Sequence, residues 1–452
     1  MNHCITEKNG QQSNGGGIRP AVAQTFQSAG STGFPARRSS GRRERTPNHP
    51  VVGRCCTTLI SGLSGSSALP GSWGCKKWAI AGWLALLAPA AWAASEAVTP
   101  SGGGGLRQVE QYNFSIHILA MLLVGFGFLM VFVRNYGYSA TTGTYLVVGV
   151  GLPLYLLLRS TGMISAEPIA ADSIKAVLLA EFACAAALIS MGAILGRVRL
   201  YQYAIMAALA VPAYMVNEWL VLDGGLGATR GFVDAAGSIV IHAFGAYFGL
   251  GLCVALTSET QRDMAIESDH TSDQFSMLGS MVLWIFWPSF CSAMVPPEQM
   301  PKTVINTLLA LCGATVMTYL VSTALRKGRV ASGDMANAAL AGGVAIGATC
   351  NQASPLVAFI IGSVAGAICV VGYVVIQPKL QKAFKIIDTC GVHNLHGMPG
   401  LFGGFIAILI VPGIARAQLI GIAVTVGLAL VSGVIAGFLI RSTGSKDLAY
   451  ED

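Results

Sequence analysis

Hydrophobic residues along this chain gather into long runs that short polar connections separate. From about Tyr112 onward we count eleven such runs, roughly 112–133, 142–160, 173–196, 200–221, 235–257, 276–295, 303–325, 334–350, 355–377, 390–412 and 417–441. A run of about 20 residues crosses a ~30 Å hydrocarbon core as a helix. Only helices satisfy their own backbone groups in lipid at this length. The pattern therefore predicts an all-α membrane protein with eleven transmembrane helices, the eighth being short.

The chain before these runs has a different pattern. Its first part is rich in Gly, Ser, Arg and Pro, and such a segment cannot bury enough apolar surface to offset the entropy of folding. Two lysines, an apolar run from Trp78 to about Pro89 and the motif Ala91-Trp92-Ala93 then follow in the order of a secretory signal peptide. The predicted division is a disordered or untranslated segment, a signal peptide and a transmembrane domain, over 1–74, 75–93 and 94–452.

The positions of the basic residues predict the orientation. Cleavage of the signal peptide places the new N-terminus outside, and eleven spans then place the C-terminus in the cytoplasm. The connections assigned to the inside hold Arg134, Arg197, Arg199, Arg262, Arg326, Lys327, Arg329, Lys379, Lys382, Lys385, Arg441 and Lys446. Those assigned to the outside, apart from the leader and Arg107, hold Arg159, Lys175, Arg230, Lys302 and Arg416. This bias follows the positive-inside rule and indicates a multi-pass protein of the plasma (inner) membrane.

Composition narrows the class of function. Charged residues make up 11% of the chain and hydrophobic residues 53%, whereas soluble chains are about a quarter charged. Most of the net charge of +7 comes from the first seventy-odd residues, so it does not indicate a nucleic-acid partner. The eleven cysteines show no spacing typical of metal ligands or of a disulfide framework. No connection holds a nucleophile motif or a cofactor loop, so we expect no metal, no cofactor and no enzyme activity.

One polar motif occurs twice within the spans. Asp234 precedes His242 by eight residues at the start of the fifth span, and Asp388 precedes His396 by eight at the start of the tenth. Eight residues of helix rise about 12 Å, so each histidine is expected near the membrane centre, approached from opposite faces. Such pairs are typical of inverted repeats with a site at the midplane. We predict two five-helix inverted repeats, one extra helix and contact between the two imidazoles.

Each of these polar residues has a functional and a structural interpretation. Ionisable side chains at membrane depth usually mark a pathway, which favours a functional histidine pair. The alternative is that both histidines only form hydrogen bonds between helices. The two aspartates are expected to accept bonds from free N–H groups at helix starts, and a direct role in attracting cations stays open. His117 and His393 are expected to have local structural roles.

Several longer stretches resemble one known family. They are Gly237–Gly249 (GSIVIHAFGAYFG), Trp284–Phe290 (WIFWPSF), Asp388–Gly400 (DTCGVHNLHGMPG), Asn217-Glu218-Trp219, the Gly333-Asp-Met run before Ala338–Gly343, and Gln352–Phe359 (QASPLVAF). Together they are similar to the signatures of Rh (Rhesus) proteins, within the wider Amt/Mep/Rh ammonium transport superfamily. The resemblance extends over about 110–440, and eleven spans behind a leader resemble the bacterial branch.

This resemblance implies a substrate and roles for particular residues. It implies a pore through each subunit of a homotrimer, lined by His242 and His396. The residues that it assigns to the outer gate are Phe182 and Phe290, and those that it assigns to an acidic vestibule are Glu218 and Glu181. Ammonium is expected to be recruited outside and to lose a proton, so that neutral ammonia is conducted through the bilayer.

Two alternative functions remain open at this point. A carbon dioxide channel has the same need for a narrow apolar pore, and methylammonium is a further candidate substrate. An ammonium sensor belongs to a different class of function, but sensing members usually carry a signalling domain. Only a short tail follows Arg441.

Overall fold

The computed structural model describes residues 104–164, 167–446 and 448–452. The predicted disordered segment 1–74 and signal peptide 75–93 therefore lie outside the described residues. Within the described ranges the secondary structure is helical, without a β-strand. This agrees with the all-α prediction from the hydrophobic pattern.

Nine helices among the described residues have the length and apolar composition of membrane spans. We number the helices in chain order, with two interrupted ones included. The nine are α1 Gly105–Phe132, α2 Gly137–Thr161, α3 Ile174–Ala193, α4 Leu200–Val221, α5 Ser238–Leu256, α6 His270–Ser292, α7 Pro297–Leu325, α9 Pro355–Phe384 and α11 Ala415–Ser442. The interrupted ones are α8, made of Ser332–Ala338 and Ala341–Ile346, and α10, made of the π-helical His393–Gly397 and the α-helical Met398–Ile410. The chain is thus a multi-pass membrane protein, and eleven spans stay a prediction.

The eighth predicted span, 334–350, differs most from the structure. It is split after Ala338, and its second helical piece ends at Ile346. At the split the backbone hydrogen bonds run three residues back, from the Leu340 N–H to the Asn337 carbonyl at 2.9 Å. The second piece packs closely, since a side chain at Gly342 would meet the backbone of Ala310 and one at Gly343 the indole of Trp287. The hydrophobicity of the sequence does not show that Ala310 and Trp287 pack against these glycines.

The start of α6 also differs from the prediction, because the helix begins at His270 rather than near 276. The carboxylate of Asp269 accepts a hydrogen bond from the backbone N–H of Ser272 (2.8 Å), and the Asp269 N–H donates to the Ser272 hydroxyl (2.9 Å). The backbone bond from Ser272 also lowers the pKa of Asp269. This capping box stabilises a polar first turn that a hydrophobicity pattern misses.

Two helices form the centre of the bundle. In both α3 and α5 the most apolar window is 89% buried within the chain, against 33% in α11. Glycines allow the close contacts, since a side chain at Gly245 would meet the Ala186 carbonyl and one at Gly251 the Leu430 carbonyl. Small residues let helix backbones approach each other in membranes. The central position of α3 and α5 places their side chains on the axis of the bundle.

We predict that adding one methyl group between α7 and α9 destabilises the protein. A Cβ at Gly362 would overlap the backbone of Ala310, so Gly362→Ala is expected to cost about 1–3 kcal/mol through overpacking. Thermal unfolding in detergent measures this as a lower Tm. Gly427→Ala in α11 is the matched control, because a Cβ there meets no atom within 4 Å. Equal Tm values for the two variants would contradict the packing argument.

Candidate functional site

The two motif histidines meet inside the bundle. His242 lies in a π-helical segment, Ser238–Ala243, at the start of α5, and His396 lies in the π-helical segment of α10. Their Nδ1 atoms are 3.2 Å apart and their rings are stacked, with centroids 5.3 Å apart and an angle of 9° between the planes. Both side chains are buried, at 3% and 4% exposure. Single π-turns in helices frequently mark functional sites.

The contact between the Nδ1 atoms constrains what the pair offers to a ligand. When both rings are neutral, one Nδ1 donates the shared hydrogen and the other accepts it. Each neutral ring has one donor and one acceptor, so the two Nε2 atoms then take opposite roles. The Nε2 of His242 is buried and has no hydrogen-bond partner among the described residues. The pair therefore presents one acceptor and one donor to a small polar molecule.

Aromatic rings enclose the histidine pair on both sides. Trp287 stacks on His242 with ring centroids 5.6 Å apart, and Phe126 stacks on His396 at 6.2 Å. Neither ring is recognisable from the sequence as part of the site, because an aromatic residue in a span usually belongs to the packed core. Trp287 lies within the WIFWPSF motif, and this position was the sequence feature that could have linked it to the site. These rings exclude water from the flanks of the pair.

The two phenylalanines expected to form a gate are in contact. The ring centroids of Phe182 on α3 and Phe290 on α6 are 4.8 Å apart, in an edge-to-face arrangement at 62°. Both side chains are buried, at 6% and 3% exposure. The Phe290 ring centroid is also 6.0 Å from that of His242. The phenyl pair thus lies next to the histidine pair, and one of its members, Phe182, lines a neighbouring cavity.

This cavity, which we call the Glu218 cavity, has a volume of about 210 Å³. Its charged lining residues are Glu218, Asp223, Asp234, Arg159 and Lys175. The Tyr155 hydroxyl donates to Glu218 Oε2 at 2.7 Å, and Arg159 pairs with Asp223 at 2.9 Å. With Arg159 and Asp223 paired to each other, Glu218 and Asp234 face one remaining basic group, Lys175, so acids exceed bases by one in the lining of the cavity.

Glu181 lies elsewhere. Its side chain is fully buried at 0% exposure and does not line the Glu218 cavity. The Ser115 hydroxyl of α1 donates to Glu181 Oε1 at 2.6 Å, and Oε2 has no hydrogen-bond partner among the described residues. Adjacent residues on a helix point about 100° apart, so Phe182 reaches the cavity while Glu181 turns toward α1. The structure does not bring Glu181 into the vestibule that the resemblance implied.

The two aspartates make matching contacts at the starts of the histidine segments. Asp234 Oδ2 accepts hydrogen bonds from the backbone N–H groups of Ile239 and Val240, at 2.9 and 2.8 Å. Asp388 accepts from those of Val392 and His393, at 2.9 and 3.0 Å. Each carboxylate accepts hydrogen bonds from backbone N–H groups that lie four to six residues further along the chain, whereas a usual N-cap side chain binds the N–H group two or three residues further along. They therefore hold the π-turns that carry His242 and His396.

A smaller cavity lies on the other side of the pair. It measures about 20 Å³, is lined by His396, Asn337, Cys390 and apolar side chains, and has room for about one molecule the size of water. His393 lines neither cavity and instead packs against the Tyr247 ring at 5.7 Å. His117 Nδ1 is 2.9 Å from the Ser289 hydroxyl. The described residues contain no cluster of three or more metal-ligating side chains.

Comparisons with known proteins identify the family of this chain. A family model for the Ammonium Transporter Family matches residues 106–448. The chain belongs to this family. Ammonium transporter Rh type A of Mus musculus is 36% identical over 340 residues, covering 72% of this chain and 75% of the relative. Ammonium transporter Rh type B of Oryctolagus cuniculus is 37% identical over 357 residues, covering 71% and 76%.

Solved structures place the chain in the Rh branch. The structure of Rh50 from Nitrosomonas europaea, described as a member of the Rhesus family of channels, is 65% identical, with a TM-score of 0.76 over 77% of this chain and 91% of that one. Mep2 of Candida albicans, at 17% identity and a TM-score of 0.63 over 73% of this chain and 82% of that one, shares the fold. The predicted resemblance to Rh proteins is thus confirmed. The relatives of this Rh-type chain are transporters and channels, not enzymes.

We predict that the two hydrogen bonds that Asp234 accepts stabilise the folded Rh-type protein. Asp234→Ala leaves two N–H groups without their acceptor in a buried place, and the loss of a cap costs about 1–2 kcal/mol. The measurement is the Tm in detergent. Asp269→Ala is the control, since that cap lies at an exposed helix start where water replaces the carboxylate. An equal or smaller loss for Asp234→Ala would contradict the prediction.

Proposed function

We propose that this chain is a channel that recruits ammonium at the Glu218 cavity, where the ion gives one proton to water of the outer solution, and conducts the resulting neutral ammonia past His242 and His396. Membership of the ammonium transporter family and the similarity to the Rh50 channel support ammonium transport. The observation that carries the mechanism is the 3.2 Å contact between two buried imidazoles next to a closed phenyl pair.

The free-energy cost of moving a charge to the centre of the bilayer favours neutral ammonia as the species that crosses. A charged side chain at the centre of a bilayer costs at least about 2.5–3.5 kcal/mol. The two imidazoles and the surrounding aromatic rings supply no counter-ion for ammonium at that depth. Ammonia is neutral and avoids most of the penalty, so deprotonation before the phenyl pair lowers the barrier to passage.

The Glu218 cavity is suited to collecting the cation. Glu218 supplies a carboxylate that is not in an ion pair, in a space of about 210 Å³ that is large enough for ammonium with water around it. Phe182 and Phe290 then separate this space from the histidines. Two phenyl rings in contact offer no hydrogen bonds to an ion, so they oppose the passage of the hydrated cation and favour the smaller neutral molecule.

Imidazole rings suit the transit of ammonia because ammonia both donates and accepts hydrogen bonds. One Nε2 of the pair accepts and the other donates, as the shared hydrogen between the Nδ1 atoms requires. A polar molecule without partners in an apolar tube costs several kcal/mol. The pair lowers this cost between the phenyl pair and the 20 Å³ cavity, which receives the molecule next.

The proposal includes a topology and an assembly. Eleven spans with an outside N-terminus and a cytoplasmic C-terminus place the Glu218 cavity at the outer face of the plasma membrane. Matching backbone contacts of Asp234 and Asp388 support the arrangement in two inverted halves. A homotrimer with one pore in each subunit, behind a cleaved signal peptide, completes the proposal, and it rests on the resemblance to Rh proteins. The roles of the aspartates as pore supports and of Glu218 as the recruiting acid are parts of the same proposal.

We predict that removing both pore imidazoles slows ammonia entry about tenfold or more. Each lost hydrogen bond costs the ammonia about 1 kcal/mol, and 1.4 kcal/mol corresponds to tenfold in rate. Stopped-flow alkalinisation of proteoliposomes measures the rate for the double variant His242→Ala, His396→Ala. His270→Ala, at the exposed start of α6, is the control and should behave as the wild type. Wild-type permeability in the double variant would refute the central role of the pair.

We predict that Glu218→Gln raises the ammonium concentration needed for half-maximal flux several-fold, because the neutral amide attracts a cation less. Glutamine still accepts the Tyr155 hydroxyl, so the fold is kept. Glu181→Gln is the matched control: its side chain lies outside the Glu218 cavity and its bond from Ser115 also survives. The two variants are distinguished by measuring flux as a function of ammonium concentration. A larger effect for Glu181→Gln would place recruitment at Glu181 and overturn the assignment.

A further inference from the structure

The backbone has the same construction at the two ends of the histidine pair. We call the end at the Glu218 cavity the outer end, as in the proposed topology, and the end beyond His396 the inner end. Three residues after its aspartate, each end has a glycine in the left-handed region, with φ of 78° at Gly237 and 68° at Gly391. Between aspartate and glycine, two N–H groups donate to carbonyls at the end of α8 or α3: Ala235 and Ala236 to Ala348 and Gly347, Thr389 and Cys390 to Ala193 and Gly192. Residues at matching places can therefore be compared directly.

The helix that packs beside each end also matches. At the outer end α4 contributes Tyr214 and, one turn later, Glu218 to the lining of the Glu218 cavity. At the inner end α9 contributes Tyr373, whose hydroxyl donates to the Cys390 carbonyl at 2.8 Å, and one turn later Gln377. Gln377 thus has the place at the inner end that Glu218 has at the outer end.

The side chain of Gln377 fills its place instead of lining an open cavity. Its Nε2 donates to the Asp388 carbonyl at 2.8 Å, and its Oε1 accepts from Asn394 Nδ2 at 2.7 Å. Both partners belong to the segment that carries His396. The cavity beside His396 measures about 20 Å³, against about 210 Å³ at the outer end. The amide carries no charge, so it gives the inner end no attraction for a cation.

The charges around the two aspartates differ in the same direction. At the inner end the guanidinium of Arg197 donates to the Ile387 carbonyl at 2.7 Å and to the Thr389 hydroxyl at 3.2 Å, on both sides of Asp388. Arg197 is 2% exposed and attracts the Asp388 carboxylate. One base thus balances one acid here, whereas acids exceed bases by one in the lining of the outer cavity. The change Gln377→Glu would give the inner end the same excess.

We propose that the difference between Glu218 and Gln377 makes the recruitment of ammonium one-sided. The outer end collects the cation, whereas the inner end exchanges only neutral ammonia with the solution on its side. Gln377 is thereby a specificity-determining residue, because it holds an uncharged amide where the outer end holds a carboxylate. The inference rests on the proposed recruitment at Glu218 and assigns the opposite property to the inner end.

The test compares ammonium entry at the two faces of the full chain. Right-side-out and inside-out membrane vesicles expose the outer and the inner end in turn, and stopped-flow alkalinisation of the lumen gives the half-saturating ammonium concentration at each face. In the wild type this concentration should be lower at the outer face. Gln377→Glu should lower it at the inner face by up to about fivefold, the effect of one exposed ion pair, and leave it unchanged at the outer face.

The matched control is Gln381→Glu, which adds the same charge one turn further along α9. It should leave both concentrations unchanged, and a decrease equal to that of Gln377→Glu would show a surface-charge effect and overturn the proposal. An unchanged inner value in Gln377→Glu protein that keeps the wild-type Tm would also overturn it. The exchange variant Glu218→Gln, Gln377→Glu should reverse the sidedness, so that the inner face has the lower half-saturating concentration.

The single variant Glu218→Gln tests the inference without a change at Gln377. Both ends then carry glutamine, so the half-saturating concentrations at the two faces should converge, and a remaining difference after the outer value has risen would overturn the proposal. An unchanged outer value in this variant would refute recruitment at Glu218, and with it the proposed function. A raised outer value together with an inner value that does not respond to Gln377→Glu would refute this inference alone.

Discussion

The contact between His242 and His396 is the constraint on which the rest of the site depends. Two nitrogen atoms of different spans stay 3.2 Å apart only if the backbones of α5 and α10 approach closely at that level. Glycine makes this possible, since a side chain at Gly400 would meet the Ser238 carbonyl and one at Gly404 the Ile239 side chain. In the proposed mechanism the same closeness also excludes an ion with its water.

The π-turns and their aspartates set the direction of the two imidazoles. A π-turn contains about one more residue than an α-turn, which turns the following side chains relative to a regular helix. Asp234 and Asp388 bind the N–H groups that such an irregular start leaves free. A backbone group without a partner is costly in lipid, so these irregular segments persist because carboxylates and neighbouring helices satisfy them.

Charge is distributed unevenly along the proposed path. Three carboxylates and two basic groups line the Glu218 cavity, whereas the segment beyond the phenyl pair holds imidazole and other rings and apolar side chains. This separation fits a cation that is attracted at one end and a neutral molecule that crosses the middle. Basic residues lie in the connections and at helix ends, where lipid headgroups and water accommodate them.

The sequence by itself determined the helical membrane fold, the approximate spans, the paired motifs and the Rh resemblance, because hydrophobic runs and the recurring Asp and His spacing are local properties. It also indicated the residues that meet as a phenyl pair and a histidine pair. Tertiary structure decided the rest. The enclosing rings of Trp287 and Phe126 and the turn of Glu181 toward Ser115 depend on which helices are neighbours. A sequence pattern shows which side chains share one face of a helix, but not which other helix packs against that face. In this bundle the neighbouring helix decides whether a residue such as Phe182 lines the path or, like Glu181, is buried beside it.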